Sequence, residues 1–139
     1  MVDTIPLETA TDIIETAEQK ADEIGVPSVI TIANSEGNLI AQHRMDGAWL
    51  ASVSISRNKA YTAAALEMPT HELEESTKPD GPLYGLQTTD SSRIVIFGDR
   101  YPLKVDGTIV GTIGSSGGMV NEDMDIAEAG IDRFEELMG

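Results

Sequence analysis

Residues 42–48, Gln-His-Arg-Met-Asp-Gly-Ala, set an imidazole, a guanidinium, a thioether and a carboxylate on consecutive positions, His43, Arg44, Met45 and Asp46, ahead of Gly47. A neutral imidazole can ligate a metal, and a guanidinium can grip a carboxylate through paired hydrogen bonds. If the segment ends a strand, alternation sends His43 and Met45 to one face and Arg44 and Asp46 to the other. An aspartate before glycine is most simply a turn former or helix cap, which leaves His43 and Arg44 as the side chains able to meet a ligand. A closed zinc site wants a full set of protein ligands, whereas the chain has two histidines, His43 and His71, and no cysteine.

Gly114 to Gly118, Gly-Ser-Ser-Gly-Gly, match the pattern Gly-x-Ser-x-Gly with Ser116 in the nucleophile position. Residue order argues against that chemistry, because the base of such a hydrolase follows its serine and both histidines here precede Ser116. No Gly-Lys-Ser/Thr closes the run and no Gly-x-Gly-x-x-Gly register is present, which sets aside a P-loop and a dinucleotide turn. Glycines ahead of a helix can present backbone N–H groups to an anion, so Gly117 and Gly118 could cradle a carboxylate. The simpler reading is a strand-to-helix turn that needs glycine backbone angles. Arg57 and Lys59 share the helix that follows the Asp46-Gly47 turn, where each can neutralise neighbouring carboxylates. No pair of carboxylates stands out from the 24 acids, so spacing nominates no general acid and base.

These residues need elements to hold them. Leu7, Ala10, Ile13, Ile14, Ala17, Ala21 and Ile24 recur at helical spacing and stop at Gly25, predicting an amphipathic helix. Residues 28–33 and 38–44 read as a hairpin around Asn34, Gly37 and Asn38. A helix over 48–66, rich in Ala and Ser, ends ahead of Pro69, and its small residues suit close packing on a sheet or on another subunit. After one helical turn from Thr70, the chain runs into its longest irregular connection. Residues 93–97, 101–105 and 108–116 read as three antiparallel strands, with Asp106-Gly107 as a hairpin turn. Asn121 is placed to cap a last helix with a stripe of Met124, Ala127, Ile131, Phe134 and Met138. The absence of a β-α-β rhythm predicts one α+β domain over 1–139, an antiparallel sheet flanked by helices.

Composition narrows the function. The net charge is −15, from 24 acidic against 9 basic residues distributed through every segment. Such a surface repels phosphate backbones and anionic lipid, so neither nucleic acid nor membrane is an expected partner. No apolar run approaches the length of a membrane span and the N-terminus lacks a basic-then-apolar pattern, which predicts a cytoplasmic protein.

Arg44-Met45-Asp46-Gly47-Ala48 combines with Ser-x-Ser-x-x-Lys-Ala-Tyr-Thr-Ala-Ala-Ala from Ser54 and with Pro-Leu-x-x-Asp-Gly-x-x-Val-Gly-x-Ile-Gly-x-Ser-Gly-Gly from Pro102. Together with Asp-Ile-Ala-Glu-Ala-Gly-Ile from Asp125, this pattern resembles the GlcG/HbpS-like family of small haem-binding proteins, which includes the C-terminal domain of PduO-type adenosyltransferases. The resemblance spans essentially the whole chain. It implies a profilin-like or PAS-like sandwich with a five-stranded antiparallel sheet, homo-oligomers, and haem as cofactor with slow oxidative haem degradation. A haem iron takes only one or two axial ligands, so a histidine-poor chain suffices. The implied haem-binding residues are His43 or His71 on the iron, Arg44 or Lys59 facing propionates, and Ser116, Gly117 and Gly118 in the family's glycine loop. Two departures are visible: the first helix has no histidine, and the glycine-rich run before Pro102-Leu103 keeps only Gly98. Alternative readings are a module for another small anion, held by Arg44 and the Gly117 and Gly118 N–H groups, or an enzyme of unassigned type tied to glycolate or diol metabolism.

Dispersed acidity with few lysines is also the composition of a salt-rich cytoplasm, where screening relieves self-repulsion. The expected outcome is a melting temperature that climbs as salt is added from low ionic strength. Melting curves that shift upward on salt removal would count against it.

Overall fold

The first helix, α1 (Leu7–Ile24), buries Ala10, Ile13, Ile14, Ala17 and Ala21 along the expected stripe, while Leu7 stays exposed. Gly25 ends it in the left-handed region, its N–H and that of Val26 capping the last carbonyls of the helix. The computed structural model describes residues 4–66, 70–96 and 101–138, apart from the side chains of Thr70, His71 and Glu72. After α1 come β1 (Val29–Asn34), β2 (Leu39–Arg44), α2 (Ala51–Leu66), the short α3 (Thr70–Ser76), β3 (Tyr101–Val105), β4 (Thr108–Ser116) and α4 (Val120–Met138). The strands form one antiparallel sheet in the order β2-β1-β4-β3. Asp106 and Gly107 both take positive φ at the β3–β4 turn, as the hairpin signal required.

The described residues hold four strands where five were expected. Residues 94–96 are not a strand, because the segment is tied to α2 instead of to a neighbouring strand: the Val95 N–H donates to Thr62 Oγ1 at 2.9 Å, and the Thr62 hydroxyl reaches the Arg93 carbonyl. Phe97 lies outside the described residues.

Helices cover both faces of the sheet, and the two interfaces differ in chemistry. On one side α1 and α4 close an apolar core in which Ile13, Ile14, Ile30, Ile32, Ile113, Ile126 and Phe134 are buried. The α4 stripe is turned slightly from its expected line, with Ile126 and Gly130 at its centre and Met124 and Ile131 half-buried. Arg133 clasps α4 to α1 through two bonds to Asp12, at 2.8 and 3.0 Å, and holds that carboxyl below its usual range.

On the other side α2 meets β1 and β4 through small and hydroxyl-bearing residues. Thr31 Oγ1 bonds Ser56 Oγ, Thr112 Oγ1 donates to the Ala60 carbonyl at 2.8 Å, and Ser116 Oγ donates to Ser52 Oγ at 3.1 Å. Gly114 is the closest approach: a Cβ there would fall 2.3 Å from the Ser56 carbonyl oxygen and 2.8 Å from the Ala60 nitrogen. The small residues of α2 thus serve packing on the chain's own sheet.

Gly114→Ala must therefore push α2 off the sheet, at an expected cost of about 1–3 kcal/mol in urea unfolding. Ser54→Ala, on the exposed side of the same helix, should leave the unfolding midpoint within about 0.5 kcal/mol of the parent.

Candidate functional site

Two of the sequence patterns that could carry chemistry are far apart in the chain and meet at one end of the sheet. There β1 begins and β2 and β4 finish, and the Met45 N–H donates to the Ser28 carbonyl at 3.0 Å. Gly117 lies so close to Pro27 that a Cβ would stand 2.4 Å from the Pro27 carbonyl oxygen. Pro27, Gly47, Trp49, Gly117, Gly118 and Glu122 line a cavity of about 220 Å³. Trp49, the single tryptophan, is 69% exposed at its rim, Leu50 follows it, and Met119 and Val120 follow Gly118 as further exposed apolar side chains.

Beneath this cavity lies Lys59, with 0% of its surface exposed. Its ammonium donates to the Ser115 carbonyl at 2.8 Å and to Asp123 Oδ2 at 3.2 Å. Asp123 Oδ1 accepts the Gly118 N–H at 2.9 Å, and Glu122 Oε1 accepts the Met119 N–H at 2.7 Å. The chain itself thus supplies the carboxylate that meets the Gly118 N–H. Glu122 reaches back to its own helix start as in a capping box, so the α4 cap is formed by Glu122 and Asp123 and not by Asn121. Lys59 is thus buried, with its ammonium held by Ser115 and Asp123.

Arg44 likewise turns inward on its own loop, donating through Nε and Nη2 to the Ala48 carbonyl at 3.1 and 2.9 Å. Ser116 is buried with its hydroxyl on Ser52. His43 points the other way, toward α1, with Met45 packed against the core, as strand alternation predicted. The structure therefore brings Lys59, Ser116, Gly117 and Gly118 together and separates them from His43. His71 belongs to α3, and its side chain lies outside the described residues.

His43 Nδ1 stands 2.8 Å from Glu18 Oε1, and the imidazole is 38% exposed. Its Nε2 carries no hydrogen bond among the described residues. A carboxylate accepting from one nitrogen of a neutral imidazole fixes the tautomer and leaves the other nitrogen as a lone-pair donor, as is usual for a metal-binding histidine. Sequence reasoning missed Glu18, Trp49, Glu122 and Asp123. Trp49 carried a signal, as the single tryptophan beside a turn glycine. Glu18 carried none, because its pairing with His43 exists only once α1 lies across the sheet.

Among the described residues no helix is long and apolar enough to cross a membrane. A family model described as "Haem degrading protein HbpS-like" matches residues 5–132. An uncharacterized 15.0 kDa protein from the dhaT-dhaS intergenic region of Citrobacter freundii is 44% identical over 134 residues, covering 96% of this chain and 94% of that protein. The corrinoid adenosyltransferase PduO of the same organism is 41% identical over 115 residues, 83% of this chain and 34% of PduO, so the match spans about a third of that enzyme. The crystal structure of a PduOC:haem complex superposes with a TM-score of 0.88 at 35% identity, covering 94% of each chain.

Lys59→Met would leave Asp123 buried without its counter-charge, with an expected loss of about 3–5 kcal/mol in chemical denaturation. Combining it with Asp123→Asn should recover part of that loss. Full additivity of the two changes would contradict the coupling drawn here.

Proposed function

The chain belongs to the HbpS-like family, and from that footing we propose that it binds haem, with His43 Nε2 on the iron and Glu18 as the positioning carboxylate. The observation that carries this reading is the Glu18–His43 pair, an imidazole oriented on one nitrogen and open on the other. The donor set fits haem, whose iron an imidazole nitrogen can hold as an axial ligand. The haem-degrading description of the family and the likeness to PduOC in its haem complex support the reading.

Bound haem would supply the redox chemistry of the iron, including any slow oxidative degradation of the macrocycle. The chain's own part is narrower. Glu18 accepts the Nδ1 proton and holds the ring in one tautomer and orientation. Lys59, Ser116 and Gly118 join α2, β4 and α4, Gly117 packs on Pro27, and Arg44 holds the loop after β2 through the Ala48 carbonyl. His43 is half-exposed on an edge strand, so a group held there would gain from burial against a second copy of the chain. The exposed Trp49, Leu50, Met119 and Val120 support a homo-oligomer on the same ground. The acidic surface and the lack of a membrane-crossing helix among the described residues support a cytoplasmic setting without nucleic-acid partners.

Hemin titration of the purified protein in high salt should give a saturable, sharp Soret band that His43→Ala abolishes and His71→Ala preserves. Glu18→Gln should weaken binding about tenfold to a hundredfold. A broad change that never saturates and ignores His43→Ala would remove the proposal. Sedimentation of the same samples reads association, and a monomer with and without hemin would remove the oligomer.

A further inference from the structure

A second cavity, of about 290 Å³, opens between the β1–β2 turn and the exposed flank of α2. Its lining includes Asn38, Arg57, Asn58, Tyr61 and Arg93, so two of the chain's 9 basic residues converge on one hollow of a surface that carries 24 acids. The other described arginines are all engaged: Arg93 with Asp90, Arg133 with Asp12, and Arg44 with the Ala48 carbonyl. Arg57 breaks that pattern: it is exposed and carries no hydrogen bond or ion pair among the described residues.

The walls around Arg57 are organised. The Arg93 guanidinium lies 4.0 Å from the centroid of the Tyr61 ring. It is fixed there by Nη2 to Asp90 Oδ1 at 2.8 Å and Nε to the Asp90 carbonyl at 3.3 Å. The Tyr61 hydroxyl donates to the other oxygen of the same carboxylate. On the turn side, Gly37 takes φ +85°, and a Cβ there would come within 2.8 Å of the Tyr61 ring, so glycine is what lets the ring close the hollow. Asp90, Ser91 and Ser92 all take positive φ, a costly backbone that the Tyr61–Asp90–Arg93 contacts hold in place. Asp90 pairs with Arg93, and among the described residues Arg57 has no ion pair beside Asn58. A planar guanidinium in that position matches the paired oxygens of an oxyanion.

We propose that Arg57, Asn58, Tyr61 and Arg93 form a binding site for a small oxyanion, a carboxylate or phosphate group, separate from His43. Arg57 supplies the charge, Asn58 supplies further hydrogen bonds, and Arg93 stacked on Tyr61 forms a fixed wall. The volume sits near the lower end of the range for small-molecule pockets, about 300–1,000 Å³, which suits a compact metabolite. The site shares no residue with the Glu18–His43 pair and stands or falls independently of haem binding.

The test is calorimetric titration of the haem-free protein with succinate and with inorganic phosphate, at ionic strength matched by sodium chloride. Saturable heat with succinate alone assigns a carboxylate ligand, with phosphate alone a phosphate ligand, and with both a general oxyanion site. In each case Arg57→Ala should weaken binding about tenfold to a hundredfold while its melting temperature without anion stays at the parent value, because among the described residues Arg57 has no hydrogen bond or ion pair to lose. Absence of saturable heat from either anion would overturn the proposal, as would equal affinity in the parent and Arg57→Ala. Loss of the His43-dependent Soret band in Arg57→Ala would also overturn it, by making the cavity part of the haem site.

Discussion

A lysine ammonium buried in a protein interior must find oxygen partners, and the arrangement around Lys59 follows from that demand. Withdrawing the charge from water costs several kcal/mol, which only close and well-aimed acceptors offset. Among the described residues these include the Ser115 carbonyl of β4 and the Asp123 carboxylate in the first turn of α4. One side chain therefore ties α2, β4 and α4 together. The same carboxylate takes the Gly118 N–H, so the glycine loop is shaped by an internal ion pair. The close approach of α2 at Gly114 brings the Lys59 stem near enough to reach round β4.

The sheet divides the labour between its faces. Its α1–α4 side is apolar and holds the bulk of the buried hydrophobic side chains. Its α2 side is held by hydroxyl-to-hydroxyl and hydroxyl-to-carbonyl bonds, which are directional and set one register. Neither face offers an open side chain at its centre. Reactive groups are left to the rim: His43 on the edge strand, Trp49 beside the glycine loop, and the arginines on the outer flank of α2. A net charge of −15 describes the surface on average, yet the hollow beside Arg57 is locally cationic, and a small ligand responds to the local field.

Local physics made much of this legible in the residue order. The α1 stripe, its glycine stop, the Asp106-Gly107 turn and the alternation that sends His43 and Arg44 apart all depend on neighbours within a few residues. The fifth strand did not follow, because Ile94 to Ile96 have strand-like side chains while Val95 spends its N–H on Thr62. The cap of α4 was misplaced at Asn121 for a related reason: Glu122 and Asp123 reach backward over the loop, and Asp123 is oriented by Lys59.

By itself the sequence determined the fold class, the absence of cysteine chemistry, an acidic surface and the resemblance to a haem-binding family. These depend on composition and on periodicities that repeat along the chain. Tertiary structure alone decided which polar groups are consumed and which remain open. Lys59 and Gly118 meet at Asp123 and Arg44 bonds the Ala48 carbonyl, whereas His43 acquires an orienting carboxylate from Glu18, and Arg57 gains a cavity with Arg93 and Tyr61. The physical reason is that hydrogen bonds act over about 3 Å, and which groups come that close is settled by packing and not by separation along the chain.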